Sequence, residues 1–241
     1  MEYYYYLIFG VLPSIAWLIF YLRRDSHPEP KTEILWVFFL GALSTIPALF
    51  LEFSLVSVIK GLNLSPLLTI ILVNVLGVAF IEEFVKYGAV WVKEQRINQN
   101  AQLDEPVDFV IYMIISALGF AAVENLLFLL PIIQLDVAIT TSLFRALSAI
   151  LLHTLCSGTI GYFLALSFCD QKNKRKLVAK GFVIASFLHG SYNLFIIKSG
   201  ENAAFLLMPL LILAGLALFL YVSFKKLKKM ESVCRIDGIP V

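Results

Sequence analysis

Seven apolar stretches, each 20 residues or longer, run through the chain with short polar segments between them. They lie at 3–22, 34–59, 66–92, 108–130, 138–169, 178–197 and 203–223. A helix needs about 20 apolar residues to cross a bilayer. Apolar residues make up 60% of the 241 residues and charged residues 15%, and a water-soluble domain cannot bury that much apolar surface. The sequence predicts an all-α polytopic bundle of about seven transmembrane helices, forming one integral-membrane domain over 1–241.

Basic residues collect in every second connecting segment, at 23–31, 93–96, 172–180 and 225–235, while the intervening loops carry only Lys60 and Lys198. Cytoplasmic loops of membrane proteins carry the excess of Lys and Arg. This alternation predicts that the N-terminus lies outside and that a basic tail at 224–241 is cytoplasmic. The net charge is only +2, so the lipid bilayer is an expected partner and nucleic acid is not.

Ionisable side chains inside the apolar stretches are the costly part of this sequence, at least about 2.5–3.5 kcal/mol for each charged group at bilayer depth. Most fall in four consecutive stretches, the third to the sixth. The full set is Glu52, Glu82, Glu83, Lys86, Glu124, Arg145, His153 and His189. Because one shared polar cavity would satisfy most of them together, we expect them to converge between spans three and six, in a catalytic core at about 66–197.

The third stretch contains two adjacent carboxylates and an ammonium, Glu82, Glu83 and Lys86. Glu82 and Lys86 are four residues apart and share a helix face, so they can form an ion pair. Glu83 points about 100° away. Two adjacent carboxylates cannot both ionise cheaply inside a bundle. The pair is therefore suited to divide general-base and general-acid roles.

The later stretches add further polar groups at helical spacing. Glu124 stands beside Asn125, His153 shares a face with Ser157, and His189 shares a face with Asn193. Small neighbours such as Gly119 and Gly190 would let the helices approach closely. We expect Ser157 to be a helix-packing hydroxyl. We expect Arg145 to pair with Glu52 near the outer leaflet.

Water activation in a membrane cavity is the chemistry that this set favours, because a carboxylate can take a proton from water and an imidazole can donate to an oxyanion. The sequence has no HExxH zinc helix and no GxSxG motif, and Asp108, at the edge of the fourth stretch, is the one aspartate that falls within a predicted span. A reaction without a cofactor is therefore favoured. Zinc or another divalent metal stays possible, with ligands from Glu83, Glu124, His153 and His189. The alternative is a non-enzymatic proton or ion pathway, or a receptor, that uses the same residues.

Four motifs in successive stretches carry a family resemblance. They are Glu82-Glu83-x-x-Lys86, Phe120-x-x-x-Glu124-Asn125, His153-x-x-x-Ser157 and His189-x-x-x-Asn193. Together they resemble the motif series of the PrsW family of bacterial intramembrane proteases. They are also similar to the wider superfamily of CAAX-prenyl-protease-like, glutamate-dependent membrane proteases. In that superfamily the second motif usually ends in His, whereas here it ends in Glu124.

The resemblance implies an endopeptidase of the bacterial cytoplasmic membrane that acts in stress signalling. Its implied substrate is a single-span, membrane-anchored regulator of the anti-sigma-factor kind. On this hypothesis Glu82 or Glu83 activates water, and His189 with Asn193 holds the carbonyl oxygen. Glu124 and His153 position the water or deliver the proton of the leaving group, while Lys86 and Asn125 support these groups.

Overall fold

The computed structural model describes residues 4–23, 29–97 and 105–234, and within these ranges the secondary structure is entirely helical. The α-helices are α1 (Tyr4–Leu22), α2 (Lys31–Leu43), α3 (Thr45–Gly61), α4 (Pro66–Leu72), α5 (Ile81–Ile97), α6 (Pro106–Leu129), α7 (Leu135–Leu147), α8 (Ala149–Cys169), α9 (Lys174–Ser199) and α10 (Leu207–Cys234). A π-helix (Val73–Phe80) joins α4 to α5, and 3₁₀ turns (Gln171–Asn173 and Ala203–Leu206) precede α9 and α10.

Each predicted span coincides with a helix or with consecutive helices. Six helical segments of the described chain have the length and composition of membrane spans: Tyr4–Leu22, Lys31–Gly61, Pro66–Lys93, Pro106–Leu129, Leu135–Cys169 and Ala203–Met230. The predicted span at 178–197 corresponds to α9, which is 26 residues long but is not among these six. The count of seven and the orientation of the termini stay predictions. Of the predicted basic tail, the part at 235–241 lies outside the described residues.

The second predicted span is broken at Ser44, and Pro47 supplies the reason. A proline ring clashes with the carbonyl four residues earlier and has no N–H to donate to it. That carbonyl belongs to Leu43, where α2 ends. The hydroxyls of Ser44 and Thr45 donate to the carbonyl oxygens of Gly41 and Ala42, both at 2.7 Å. These bonds satisfy backbone groups at the break. The fifth predicted span is interrupted as well, at Ser148, between α7 and α8.

The third predicted span carries a π-helix that the sequence analysis does not anticipate. It covers eight residues, Val73–Phe80, and only Ile81 separates it from the two glutamates of α5. Asn74 donates its side-chain amide to the carbonyl oxygen of Ile70 at 2.8 Å, which ties the start of the π-helix to α4. Since π-helical segments are rare and concentrate at functional sites, this one marks the adjoining turn of α5 as a place of interest.

Helix α6 is the centre of the bundle, because 94% of its most apolar 18 residues are buried inside the protein. It packs against α8, α2 and α1, and α8 in turn packs against α9. The largest apolar cluster includes Val110, Ile114 and Leu118 of α6 together with Leu155 and Ile160 of α8. Every other helix that bears a candidate site residue is therefore placed by its contacts with α6 or α8.

Two glycines allow α2 and α6 to meet backbone to backbone. A β-carbon at Gly119 would lie 2.0 Å from the carbonyl oxygen of Phe38, and one at Gly41 would lie 2.1 Å from that of Ser116. Neither clash could be relieved by turning a side chain, because the opposing atoms belong to the backbone. The expected close approach at Gly119 is present. Gly190 serves similarly on α9, where a β-carbon would lie 2.7 Å from the Cα of Val75.

Gly119→Ala should therefore force α2 away from α6. Overpacking of this kind costs about 1–3 kcal/mol, and we expect that loss in the free energy of unfolding measured in mild detergent. Gly88→Ala is the matched control, because a β-carbon at Gly88 meets nothing within 4 Å and alanine inside a helix gains about 0.5–1 kcal/mol over glycine. Equal stability of the two variants would contradict the close packing of α2 on α6.

Candidate active site

The ammonium of Lys86 lies between the two glutamates that precede it on α5. Its Nζ is 3.2 Å from Oε2 of Glu82 and 2.9 Å from Oε1 of Glu83. The predicted pair with Glu82 is present, and Glu83 joins it because residues three apart also share a helix face. The side chains of Lys86 and Glu83 have no exposed surface, and that of Glu82 is 6% exposed. The first two turns of α5 thus bury two carboxyl groups around one ammonium.

Both carboxylate oxygens of Glu83 are engaged. Oε1 lies 3.0 Å from Nδ1 of His189 as well as near Lys86, and Oε2 accepts a hydrogen bond from the Ser157 hydroxyl at 2.6 Å. Since an ionised carboxylate only accepts hydrogen bonds, His189 carries its proton on Nδ1. The lone pair of its Nε2 then faces Oε2 of Glu82 at 3.7 Å.

His153 connects Lys86 to Glu124. Its Nδ1 is 2.8 Å from Nζ of Lys86, and its Nε2 is 2.8 Å from Oε2 of Glu124. An ammonium has donors only, so Nδ1 accepts and Nε2 donates to the carboxylate. Nδ1 also lies 3.5 Å from Oε2 of Glu82. The rings of His153 and His189 meet edge to face, with centroids 5.0 Å apart.

Arg145 of α7 holds Glu124 and its neighbour Asn125. Its Nη2 is 3.1 Å from Oε2 of Glu124, and its Nε donates to the side-chain oxygen of Asn125 at 2.7 Å. Asn125 donates in turn to the backbone carbonyl oxygens of Phe9 and Gly10 on α1. The side chain of Glu124 is 35% exposed, so this end of the cluster opens at the surface of the bundle.

The predicted residues Glu82, Glu83, Lys86, Glu124, His153 and His189 are thus brought together by α5, α6, α8 and α9. Asn125 lies one step outward, beside Glu124. Asn193 is one turn beyond His189 and makes no hydrogen bond with the residues that the structure describes. The π-helix, Ser157 and Arg145 are the parts that the sequence analysis misses or misplaces.

Two expectations about single residues are wrong. Arg145 pairs with Glu124 and not with Glu52 of α3, because α7 lies against α6 and α8. Ser157 does more than pack, since its hydroxyl bonds Glu83. Both residues stand in the sequence as polar groups within apolar stretches. Their partners depend on which helices are neighbours, and residue spacing within one helix gives no information on that.

Three donor atoms lie close enough together to hold one metal ion, from Glu82, His153 and His189, all within 4.8 Å of one another. One carboxylate with two imidazoles is a ligand set of catalytic zinc. Each imidazole also has a carboxylate on its other nitrogen, Glu124 for His153 and Glu83 for His189, the usual outer support of zinc-binding histidines. The donor chemistry fits a divalent cation.

This cluster differs from the predicted ligand set of Glu83, Glu124, His153 and His189. The two histidines are common to both sets, but Glu82 takes the place of the other two acids. Glu83 already accepts bonds from Lys86, His189 and Ser157. Glu124 lies on the far side of the His153 ring from Glu82. Both acids therefore orient ligands in this arrangement.

A buried group of carboxylates and imidazoles inside a bundle of span-like helices can activate water for hydrolysis within a membrane. A family model described as "PrsW family intramembrane metalloprotease" matches residues 29–222. The chain belongs to this family, and it is a membrane protease with several membrane-spanning helices.

Curated relatives agree along nearly the whole chain. The chain is similar to Protease PrsW of Geobacillus kaustophilus (strain HTA426), with 28% identity over 96% of this chain and 94% of the relative. It is also similar to Protease PrsW of Bacillus subtilis (strain 168), with 28% identity over 93% of this chain and 94% of the relative. No solved structure matches the chain. The family resolves the alternative of a non-enzymatic pathway or receptor in favour of a protease.

Arg145→Met should destabilise the protein, because it leaves Glu124 and Asn125 without their shared donor. We expect a loss of about 1–3 kcal/mol in the free energy of unfolding, measured in mild detergent. Lys198→Met is the matched control: it breaks an ion pair with Glu201 whose side chains are 36% and 66% exposed, and such pairs are worth about 1 kcal/mol or less. Equal losses in the two variants would show that the Arg145 contacts stabilise the protein no more than an exposed ion pair does.

Proposed function

We propose that the chain is an endopeptidase of the bacterial cytoplasmic membrane. Its substrate is a single-span, membrane-anchored regulatory protein of the anti-sigma-factor kind, and water activated at Glu82 is the nucleophile. The observation that carries this proposal is that Oε2 of Glu82 faces Nδ1 of His153 at 3.5 Å and Nε2 of His189 at 3.7 Å. A buried carboxylate between two imidazoles is suited to take and return a proton.

Glu82 is favoured over Glu83 as the base because only one of its two carboxylate oxygens is engaged by the described residues. Among the described residues, the polar contacts of Glu82 all fall on Oε2, so a water can approach Oε1. Glu83 is fully buried with both oxygens bonded. In the proposed step Glu82 takes a proton from water while the water oxygen bonds to the scissile carbonyl carbon. Glu82 returns that proton to the amine nitrogen as the C–N bond breaks.

The other groups hold the reacting atoms. Glu83 fixes the ring of His189, and Glu124 fixes the ring of His153. Asn193 offers two N–H donors to the scissile carbonyl oxygen beside His189. Glu82, His153 and His189 are the residues that would hold a divalent cation. When bound, such a cation acts as a Lewis acid that polarises the carbonyl and eases deprotonation of water.

An apolar cavity along α9 supports a membrane-embedded substrate. It measures about 750 Å³ and lies between the π-helix, α9 and α10. Its walls include Leu188 and Phe195 of α9 together with Gly215 of α10, whereas His189 lies on the other face of α9. A segment that occupies this cavity must itself be apolar, as a membrane-spanning helix is.

Glu82→Gln should reduce cleavage of a reconstituted single-span substrate by at least about 100-fold, the usual worth of a general base. Glu83→Ala and His189→Ala should also lose most activity, because the imidazole of His189 faces Glu82 and Glu83 holds that imidazole in place. Initial rates in liposomes, at equal amounts of inserted enzyme, measure the effect. Glu201→Gln, on an exposed side chain, should behave as the wild type. Wild-type turnover in all three site variants would refute the mechanism.

The substrate class is tested by co-expression with a tagged panel of membrane and soluble proteins from the same cell. We expect truncated products only from single-span membrane proteins, and only with the wild type and not with Glu82→Gln. A folded soluble chain would have to unfold to reach the buried cluster. Cleavage confined to soluble proteins would contradict the proposed substrate while leaving the protease assignment intact.

A further inference from the structure

We propose that the ammonium of Lys86 and a divalent cation are mutually exclusive occupants of the same position, so that a metal ion enters the site only by displacing Lys86. The inference rests on the proposed function only through the donor cluster of Glu82, His153 and His189. It concerns what occupies that cluster and not which bond is cut.

The geometry places Lys86 within the donor cluster. Its Nζ is 3.2 Å from Oε2 of Glu82 and 2.8 Å from Nδ1 of His153, which are two of the three donors. A metal ion needs the same atoms, at about 2.0–2.2 Å. An ammonium hydrogen and a metal ion cannot both use one lone pair.

His153 has no second lone pair to offer. Its other ring nitrogen, Nε2, carries the proton that it donates to Glu124 at 2.8 Å. Only Nδ1 faces Glu82, and Lys86 already donates to it. His189 is different, because the lone pair of its Nε2 faces the cluster while Glu83 holds its Nδ1. The conflict between ammonium and metal therefore centres on His153 and Glu82.

The charges around the donor atoms also favour displacement of Lys86 by a metal ion. The cluster contains three carboxylates (Glu82, Glu83 and Glu124) and two cations (Lys86 and Arg145). With neutral imidazoles the net charge of these five groups is −1, so they are nearly balanced without a metal ion. A divalent ion added beside Lys86 would raise this net charge to +1, with two positive charges a few ångströms apart at low dielectric. Movement of the Lys86 side chain out of the cluster removes that repulsion.

The test is equilibrium binding of Zn²⁺, and of Co²⁺ followed by its absorption spectrum, to the full chain in lipid nanodiscs without substrate. We expect weak binding to the wild type and at least tenfold tighter binding to Lys86→Met. Lys86→Arg keeps the charge and should bind as weakly as the wild type. Lys93→Met is the matched control, because Lys93 is a second buried lysine of α5, two turns away, and should leave the affinity unchanged.

Two further variants keep the outcome decisive. Lys86→Gln, whose amide still donates to the carboxylates, replaces Lys86→Met if that variant does not fold, with the same expected gain. Lys86→Met/His189→Ala should lose the gain, and retention of tight binding there would place the ion elsewhere and overturn the proposal. Tight stoichiometric zinc on the wild type, unchanged in Lys86→Met, would also overturn it. Because no proteolysis is measured, failure of the proposed reaction gives a separate result.

Discussion

The contact of one ammonium with two adjacent carboxylates is the interaction on which the site depends. Lys86 has no exposed surface, and neither does Glu83, so neither charge is screened by water. Removal of one member of such a buried pair typically costs about 3–5 kcal/mol, because the remaining charge is uncompensated. The fold secures Lys86 from α6: Ser116 donates to its backbone carbonyl at 2.8 Å, and the Phe120 ring lies 4.4 Å from its Nζ.

Glu83 and Glu124 have different surroundings, so the two ends of the cluster differ in their exposure to solvent. Glu83 is enclosed, whereas Glu124 is 35% exposed and paired with Arg145. A charged pair at the bundle surface is costly against hydrocarbon, so this side is expected to face water or headgroups. In the proposed mechanism, water for hydrolysis would reach Glu82 from this side, past His153.

Much of this site was predictable, because costly residues inside apolar stretches require partners. The spacing of Glu82 and Lys86 also predicted their ion pair without knowledge of any other helix. The partners of Arg145 and Ser157 could not be predicted in this way, since they depend on the packing of α7 and α8. Backbone irregularity was the other limit. Pro47 explains the break at Ser44, but no residue pattern in 73–80 predicted a π-helix.

The position of the cluster also bears on how a membrane helix could be cut there. In hydrocarbon every backbone N–H and C=O of a helix is bonded internally, so hydrolysis requires that some of those bonds open. An apolar cavity alone would leave the opened groups without partners. The buried polar cluster changes that balance, since Asn193 can donate to a carbonyl and Glu82 can hold water. A peptide bond of the proposed substrate is therefore most easily opened where these side chains can bind its freed backbone groups, at the cluster that contains His189.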